Sequence, residues 1–366
     1  MKKVLHLVSA MNIGGIETLL MNLLRENCNQ KLLKFELLCL YDHEGVFDRE
    51  IKKPGYPIHK VKNPQIQIKG IRYLVRLSRL TKFLKTNMND IDIIHIHISS
   101  SISAFIPILA NKFSGVNKKI VIHSHNSDGG YKKLHYFGKE ILKKMDVVRV
   151  ACSQQAADWL FGPESESKNK VHIILNGIDT QKFKYSESVR QRMRQELNVD
   201  NKTVIGHVGR LAKQKNHGFL IESFRLYHQT HPNSVLVLAG SGPERNSIEK
   251  KIANYSLNHC VMLLGDRNDI SDLLCAFDIF WFPSLYEGLS LSLLEAQSSG
   301  LQILCTDNVS KETVQSDRIH LLPIQDPELW SLKTDQYIKK RTSGSNTYSM
   351  DIQNTYRELV NLYHLL

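Results

Sequence analysis

The sequence predicts an α/β protein built from two parallel-sheet units. Short runs rich in Val, Ile and Leu alternate with longer amphipathic stretches along the whole chain, and this alternation is typical of strands joined by crossover helices. A chain of 366 residues with 42% hydrophobic content is also long for one core and suits two of roughly 170 residues each. We predict one domain over 1–175, a second over 176–349 and a terminal helix over 350–366.

Apolar runs that end at turn residues predict the strands, and the amphipathic stretches between them predict the helices. In the first half the predicted strands are 3–9, 35–41, 92–98, 119–124 and 147–152, and the predicted helices are 16–27, 70–87, 101–113, 134–144 and 154–161. In the second half the predicted strands are 171–175, 204–208, 234–239, 260–264, 278–282 and 302–305, and the predicted helices lie near 186–197, 216–230, 243–255, 270–276 and 290–299. The polar run from Asn176 to Ser186 predicts a linker, and Arg341 to Asn346 predicts a loose stretch before the last helix.

Cysteine usage and hydropathy narrow the class of protein. The six Cys residues show no paired spacing, so neither a disulfide framework nor a zinc site is expected. The short apolar run after Met1 passes directly into Gly14-Gly15, which favours a first strand over a signal peptide. No run of about 18 apolar residues is present, so we expect no transmembrane helix. A cytoplasmic enzyme with reduced thiols is the resulting expectation.

The positive charge lies in the first half of the chain. Residues 1–175 contain 27 Lys and Arg against 15 Asp and Glu, whereas 176–366 contain 21 of each. Within 69–86, five basic residues fall on one helical stripe, which predicts a basic amphipathic helix: Arg72, Arg76, Arg79, Lys82 and Lys85. A second basic cluster stands beside aromatic residues: Lys132, Lys133, Lys139, Lys143 and Lys144 with Tyr131, Tyr136 and Phe137. Such surfaces attract anionic lipid headgroups, although a solvated helix face is an equal alternative for 69–86. Neither stretch matches a nucleic-acid docking module, so no nucleic acid partner is expected.

The segment from Phe282 to Ala296 carries the strongest functional signal. A predicted strand ends in a Glu-Gly turn, and a predicted helix follows at once, with Glu287 and Glu295 eight residues apart. The amides near Gly288, Leu289 and Ser290 would point at a phosphate from the helix N-terminus. Two carboxylates beside such a site can accept several hydrogen bonds from sugar hydroxyls. The segment therefore indicates a nucleotide-sugar site, with a plain amphipathic helix as the alternative.

A second segment supplies cations. Arg210 and Lys215 follow the predicted strand 204–208, and ligands of open parallel sheets bind beyond the carboxyl ends of the strands. Arg presents a planar fork of donors and Lys a point charge, so together they can neutralise a diphosphate and stabilise it as a leaving group. Ordinary loop charges are the alternative.

With these motifs the chain resembles the retaining glycosyltransferases of family 4, which have the two-domain GT-B fold. The resemblance covers most of the chain and depends on the order and spacing of short segments, which are Gly14-Gly15-Ile16-Glu17, His123-Ser124-His125-Asn126, Ala151-Cys152-Ser153, Asn176-Gly177-Ile178-Asp179, Gly209-Arg210 with Lys215, Ala239 to Glu244, and Glu287 to Glu295. The His-Ser-His-Asn segment, with Trp159-Leu160-Phe161-Gly162, is similar to the branch that builds capsular and extracellular polysaccharides.

The resemblance implies a fold and a reaction. It implies two Rossmann-like domains whose parallel sheets face each other across a cleft, with the last helix crossing back to the first domain. A sugar would pass from a nucleoside diphosphate donor, for which we expect a UDP-sugar, to a hydroxyl of a glycan acceptor on a lipid carrier, with retention of anomeric configuration. Cations of the protein would replace a metal ion, so no cofactor and no metal is expected. The enzyme would lie peripherally on the inner face of the cytoplasmic membrane.

Residue roles follow from the same resemblance. Glu287 and His125 would hold the donor sugar, and Glu295 the ribose hydroxyls. Arg267, after the predicted strand 260–264, would contact the nucleotide base. The Gly14-Gly15 loop would face the diphosphate from the other domain. The segments Gly300-Leu301-Gln302 and Ser310-Lys311-Glu312 depart from the usual family pattern. His95 and His97 read as strand histidines, with His97 a lesser candidate for the cleft than His125.

Alternatives remain at this level. Asp90-Ile91-Asp92 has the form of a metal-diphosphate motif, but it precedes its strand and would lie at the wrong edge of the sheet for a ligand. A nucleotide-sugar epimerase of the same fold would act on the donor without an acceptor. A non-catalytic protein that binds sugar nucleotides or membranes would have no need to retain Arg210, Lys215, Glu287 and Glu295 together.

Overall fold

The protein consists of two compact units. The computed structural model describes residues 1–62, 68–128, 132–163, 170–338 and 348–366. Met1–Gly177 together with Ile352–Leu366 form the first unit, and Ile178–Asp351 form the second. Tyr131 and the stretch 341–346 lie outside the described residues. Among the helices of the described residues, none has the length and apolar character needed to cross a membrane.

The first unit is a parallel sheet with helices connecting its strands. Over the described residues its strands are β1 (Lys3–Val8), β2 (Lys34–Cys39), β3 (Ile58–Lys60), β4 (Ile93–Ile98), β5 (Lys119–Ser124), β6 (Val148–Ala151) and β7 (Val171–Ile173). The helices between them are α1 (Gly15–Gln30), α2 (Asp48–Lys52), α3 (Lys69–Asn87), α4 (Ile102–Ser114), α5 (Lys132–Leu142) and α6 (Gln154–Phe161). The strand order is β3-β2-β1-β4-β5-β6-β7. Strands β1, β4 and β5 are buried almost throughout, as expected where helices cover both faces of a parallel sheet.

The second unit repeats this plan with a smaller sheet. Its described strands are β8 (Thr203–Val208), β9 (Ser234–Ala239), β10 (Val261–Gly265), β11 (Ile279–Phe282), β12 (Gln302–Thr306) and β13 (Ile319–Leu322). Its described helices are α7 (Glu187–Glu196), α8 (His217–Thr230), α9 (Arg245–Asn254), α10 (Ile270–Ala276), α11 (Leu291–Ser298) and α12 (Pro327–Tyr337). The strand order is β10-β9-β8-β11-β12-β13, all parallel. Trp281 and Trp330 lie fully buried in its core.

The last helix, α13 (Ile352–Leu365), belongs to the first unit. It packs on α1, where the Tyr356 hydroxyl donates to Asn27 Oδ1. Near the C-terminal end of this helix, the Tyr363 hydroxyl is hydrogen-bonded to His95 Nδ1 of β4. The final helix therefore crosses back to the first sheet, as the family resemblance implied.

Four short or peripheral elements were not predicted. Strands β3 and β13 are edge strands of three and four residues, too short to show a clear alternation of apolar and polar residues. The five-residue helix α2 has the same weakness. Helix α12 did carry a sequence signal, since Asp followed by Pro is a common helix start. In the structure Asp326 accepts a hydrogen bond from the Leu329 N–H at 2.9 Å, and Pro327 takes the first helical position.

Each sheet has one point where the direction of strand addition reverses. In the first unit it lies between the neighbouring strands β1 and β4, and in the second between β8 and β11. Loops that leave neighbouring strands on opposite sides open a crevice at their carboxyl ends, where open α/β sheets bind ligands. These two switch points are therefore where the candidate residues should be sought.

Candidate functional site

An ion pair occupies the switch point of the second unit. Lys215 ends a short 3-10 turn (Lys213–Lys215) after β8, and Glu287 lies in the loop between β11 and α11. Lys215 Nζ and Glu287 Oε1 are 2.7 Å apart, and the two side chains are only 13% and 8% exposed. The structure thus brings together two residues that the sequence placed at the ends of separate strands. A largely buried ion pair of this kind provides one donor group and one acceptor group for a polar ligand.

The loops that carry this pair are tied to each other. The Leu285 N–H donates to Gln214 O at 2.8 Å, and Gln214 Nε2 donates to Tyr286 O at 2.9 Å. Lys215 Nζ also lies 4.7 Å from the centroid of the Phe282 ring, within the range of a cation–π contact. The ammonium group is therefore held in place by neighbouring groups of the protein.

The glycine-rich loop after β9 packs against the backbone next to this pair. Gly240 has φ +136°, and a Cβ atom there would lie 2.1 Å from Gly209 O. The Leu211 N–H donates to Ser241 O at 2.8 Å. Only glycine tolerates so close an approach. The loop therefore packs directly on the backbone of Gly209 to Leu211 and supports it. Arg210, which follows β8, is exposed on that backbone.

Helix α11 begins beside Glu287. Its N-cap, Ser290, makes no capping hydrogen bond through its side chain, and Gly288, Leu289 and Ser290 are buried. Helix N-termini carry partial positive charge from their N–H groups and favour anions. The arrangement is compatible with the predicted phosphate contact at this turn.

Glu295 lies inside the second unit, near the middle of α11. Its side chain is buried, and this burial raises the pKa of the carboxyl group to about 7, against an opposing effect of the Lys182 ammonium. A carboxyl group with that pKa is partly protonated at neutral pH, so it can donate as well as accept a hydrogen bond. Lys182 was not singled out in the sequence because it lies in the predicted linker.

Arg267 stands apart from the pair. It follows β10, which is the edge strand and is separated from β8 by β9. Its guanidinium binds Asp269 with two nitrogens, Nε to Oδ1 at 2.8 Å and Nη2 to Oδ2. The local fork orients Arg267, but the strand order does not place it beside Lys215 and Glu287.

Cys305 is a further neighbour of the pair, with no functional signal in the motifs of the sequence. It lies in β12, and its pKa is raised well above the ordinary value by burial and, to a smaller extent, by the Glu287 carboxylate. The signal in the sequence was its position at the end of the predicted strand 302–305, next to the switch point.

The first unit presents the Gly14-Gly15 loop and His125 at its carboxyl edge. Gly14 caps α1 in an extended conformation, and a Cβ atom there would lie 2.3 Å from Glu17 Oε2, so the Glu17 side chain folds back over the loop. His125 directly follows β5, and its backbone N–H donates to Ile98 O at 3.1 Å. The ring centroids of His125 and His123 are 4.1 Å apart, which places both on the same side, as strand alternation predicted.

His125 contacts His97, which the sequence predicts to be a strand histidine. Its Nε2 lies 2.9 Å from Nδ1 of His97, which is buried in β4. Burial lowers the pKa of His125 to about 3, so its imidazole is neutral at physiological pH. His125 is therefore a hydrogen-bonding group and not a cation.

The Asp90-Ile91-Asp92 segment lies at the opposite edge. Asp92 Oδ2 accepts from the Lys3 backbone N–H at 2.8 Å, and Asp90 Oδ2 accepts from Lys3 Nζ at 2.6 Å. Lys3 begins β1, so both carboxylates lie at the amino ends of the strands, as predicted. They tie the start of one strand to the start of its neighbour.

Comparisons with known proteins identify the family of the chain. The family model described as Glycosyltransferase Family 4 matches residues 13–182, and that described as Glycosyl transferases group 1 matches residues 189–348. The putative glycosyltransferase EpsF of Bacillus subtilis is 31% identical over 324 residues, which cover 85% of this chain and 80% of EpsF. The capsular polysaccharide biosynthesis glycosyltransferase CapH of Staphylococcus aureus is 25% identical over 385 aligned positions and 99% of both chains.

Two further matches concern the reaction and the fold. The UDP-Gal:alpha-D-GlcNAc-diphosphoundecaprenol alpha-1,3-galactosyltransferase of Escherichia coli is 29% identical over 255 residues, 66% of this chain and 62% of that enzyme. Anabaena HepE, solved in complex with UDP and glucose, superposes with a TM-score of 0.80 at 19% identity over 100% of both chains. The chain therefore belongs to glycosyltransferase family 4: it is a glycosyltransferase with the GT-B fold, related to enzymes of capsular and exopolysaccharide biosynthesis.

Proposed function

We propose that this glycosyltransferase moves a sugar from a UDP-sugar to a hydroxyl of a lipid-linked glycan, with retention of anomeric configuration and without a metal ion. The observation that carries the proposal is the Lys215–Glu287 pair at the switch point of the second sheet. Its ammonium group suits a diphosphate and its carboxylate suits sugar hydroxyls, two chemistries that a nucleotide sugar presents together.

The relatives support the choice of donor and acceptor. The Escherichia coli relative is named for UDP-galactose as its donor and for a diphosphoundecaprenol-linked sugar as its acceptor. HepE was solved with UDP and glucose. We extend both to this chain because it carries an ion pair and a helix N-terminus where a sugar diphosphate requires a cation, donors and an acceptor.

In the proposed reaction, the bond between the anomeric carbon and the diphosphate oxygen breaks, and a bond to the acceptor oxygen forms on the same face. The acceptor hydroxyl proton passes to the departing phosphate oxygen. Arg210 and Lys215 stabilise the negative charge that develops on the leaving group, in the role that a metal ion plays in other enzymes. The N-terminus of α11, at Gly288, Leu289 and Ser290, binds a phosphate.

The remaining candidates complete the donor site. Glu287 accepts hydrogen bonds from the donor sugar, and Glu295, which can both donate and accept near neutral pH, binds the ribose hydroxyls. Arg267 binds the nucleotide base. From the first unit, His125 contributes an uncharged hydrogen-bonding group to the sugar, and the Gly14-Gly15 backbone contributes to diphosphate binding.

A basic and partly apolar surface of the first unit suits a lipid-linked acceptor. Helix α3 exposes Leu74 to 67% and, further along the same helix, the cations Lys82 and Lys85, and α5 exposes Phe137 to 67%. Anionic headgroups attract exposed lysines and arginines at about 1 kcal/mol each, and exposed apolar side chains can enter the membrane interface. We propose that this surface holds the enzyme at the cytoplasmic face of the membrane.

Product stereochemistry and metal dependence test the proposal together. The purified enzyme is incubated in EDTA with UDP-sugars and a synthetic lipid-diphosphate glycan, and the product is followed by proton NMR. We expect an axial anomeric linkage to form from an axial donor, with UDP released in equal amount. An inverted linkage, or activity that appears only after a divalent metal is added, would contradict the proposal.

A further inference from the structure

Five histidines from three neighbouring strands form one layer at the first switch point. They are His6 of β1, His95 and His97 of β4, His123 of β5, and His125 directly after β5. The strand register pairs His6 with His95 and His97 with His123. Neighbouring rings in this layer have centroids 4.1 to 5.6 Å apart.

Three of these rings form a continuous hydrogen-bonded chain. His6 Nδ1 and His97 Nε2 are 2.9 Å apart, and His97 Nδ1 and His125 Nε2 are also 2.9 Å apart. His97 thus uses both ring nitrogens, while His125, at the more open end, keeps Nδ1 for another partner. At the buried end, His6 Nε2 has no hydrogen-bond partner among the described residues.

The nitrogen separations favour hydrogen bonds over a metal site. The candidate nitrogens of His97, His123 and His125 lie within 4.8 Å of one another. However, two nitrogens bound to one tetrahedral metal ion at about 2.0 to 2.1 Å would lie about 3.3 Å apart. The His97 Nδ1 and His125 Nε2 atoms are 2.9 Å apart, and so are His6 Nδ1 and His97 Nε2, which is the separation of a hydrogen bond.

A chain of neutral rings has only two proton arrangements. Burial lowers the pKa of His6 and His125 to about 3 and that of His97 well below its ordinary value, so each ring carries a single N–H at neutral pH. Either every N–H points towards His6, or every N–H points towards His125. The proton position on His125 is therefore coupled to that on His97 and His6.

The buried end selects between these arrangements. If the N–H groups pointed towards His6, its Nε2 would carry a buried N–H without a partner. If they point towards His125, Nε2 of His6 is only an unpaired acceptor, and buried unpaired donors are rarer than unpaired acceptors. His6 then donates to His97, and His97 donates to His125 Nε2.

We infer that His97 is a positioning residue that fixes the ring and the tautomer of His125, with its proton on Nδ1, and that His6 orients His97. The value of this for catalysis rests on the proposed function, in which His125 binds the donor sugar. The Nδ1–H would then face the ligand as a donor, and a neutral donor of this kind suits a sugar oxygen.

The tautomer can be measured without any substrate. The whole protein, labelled with ¹⁵N-histidine, is studied at pH 7.5 by long-range proton–nitrogen correlation, and the His125 signals are assigned by their loss in His125→Asn. We expect a protonated Nδ1 and a bare Nε2. A protonated Nε2, or an equal mixture of the two tautomers, would overturn the inference.

Two substitutions of His97 form a matched pair. His97→Asn places an amide near the position of Nδ1 and can still donate to His125, whereas His97→Gln places it near Nε2 and serves only His6. We expect the single His125 tautomer to persist in His97→Asn and to be lost in His97→Gln, with the exposed His259→Gln as a control without effect. Identical His125 spectra in both His97 variants would contradict the inference, as would loss of the tautomer in the control. Because the spectra are recorded without a nucleotide sugar, they separate a failure of this inference from a failure of the proposed function. If the variants do not fold, the wild-type spectrum alone tests the inference.

Discussion

The two units share one topological plan but line their switch points with opposite chemistry. In the first, neighbouring strands bring together five neutral histidines, three of them in a hydrogen-bonded chain. In the second, neighbouring strands bring together an ammonium and a carboxylate 2.7 Å apart. Uncharged rings can donate and accept hydrogen bonds but cannot offset a diphosphate, whereas a lysine can. In each unit the order of strands fixes which side chains meet at the switch point, and the residues on and after those strands decide whether the groups that meet are neutral or charged.

The largest expected effect comes from removing the cation at the second switch point. We expect Lys215→Ala to lower turnover by about 10² to 10³, because a preorganised charge that stabilises a developing anion is worth that much. Release of UDP from a UDP-sugar in the presence of acceptor measures it. The matched control is Lys213→Ala, which removes an exposed lysine of the same turn. Equal losses in the two variants, with both still folded by circular dichroism, would show that the charge acts only from a distance.

Acid should destabilise the first unit more than the second. The pKa of His6 falls from 6.5 to about 3 on folding, so the unfolded chain binds more protons below pH 6.5 and stability falls as the pH drops towards 3. At pH 5 this costs about 2 kcal/mol for His6 alone, and the pKa values of His95, His97, His123 and His125 are lowered as well.

The second unit combines opposing shifts. The lowered pKa values of His207 and His217 reduce the stability of this unit in acid. The raised pKa of Glu295 has the opposite effect, because it increases the stability of the unit as the pH falls. Hydrogen exchange followed by mass spectrometry at pH 7.5 and 5.0 resolves the two units. Protection that decreases equally in both, or mainly in the second, would contradict the comparison.

Glu295 should limit the stability of the second unit at alkaline pH. Its pKa is raised from 4.5 to about 7, so the folded state binds the extra proton and stability falls as the pH rises from 4.5 through 7. We expect Glu295→Gln to be more stable than wild type in urea unfolding at pH 8, by about 3 kcal/mol, with the difference disappearing below pH 4.5. Exposed Glu196→Gln is the control and should show no such pH dependence. A variant less stable than wild type at pH 8 would show that the carboxylate is better accommodated than its burial suggests.

The smallest expected effect concerns the basic surface of the first unit. We expect Lys82→Gln with Lys85→Gln to weaken binding to vesicles of phosphatidylglycerol by about 2 kcal/mol, or roughly 30-fold. Lys250→Gln with Lys213→Gln removes two exposed lysines from the second unit and should leave binding unchanged. Co-sedimentation at low and high salt gives the comparison. Equal weakening in the two double variants would mean that net charge, and not this surface, attracts the membrane.

The central strands could be predicted from sequence because their apolar runs are long and end at clear turn residues. The contacts at the switch points could not, because they depend on the order of strands in the sheet. His6 and His97 are 91 residues apart and meet only because β1 pairs with β4. Likewise, alternation along β5 placed His123 and His125 on one side, but it gave no reason to connect His125 with His97 of the neighbouring strand.

That Lys215 and Glu287 lie beyond the carboxyl ends of strands was easier to predict than which residues they contact. Lys215 and Glu287 were both expected beyond strand ends, since strands end where β-branched residues give way to glycine and charge. Their direct pairing, and the position of Arg267 two strands away, follow from the order β10-β9-β8-β11. The elevated pKa of Glu295 depends on burial, which a helical pattern with polar residues on both sides does not reveal.

The most direct test of the central claim is thermal unfolding in EDTA with millimolar UDP-, GDP-, ADP- and dTDP-sugars, in wild type and in Lys215→Ala. A ligand at 100 times its Kd stabilises the protein by about 2.7 kcal/mol, which moves the midpoint by several degrees. We expect a clear shift with UDP-sugars for wild type and little or none for Lys215→Ala. No shift with any UDP-sugar in the folded wild type, or equal shifts in the two proteins, would contradict it.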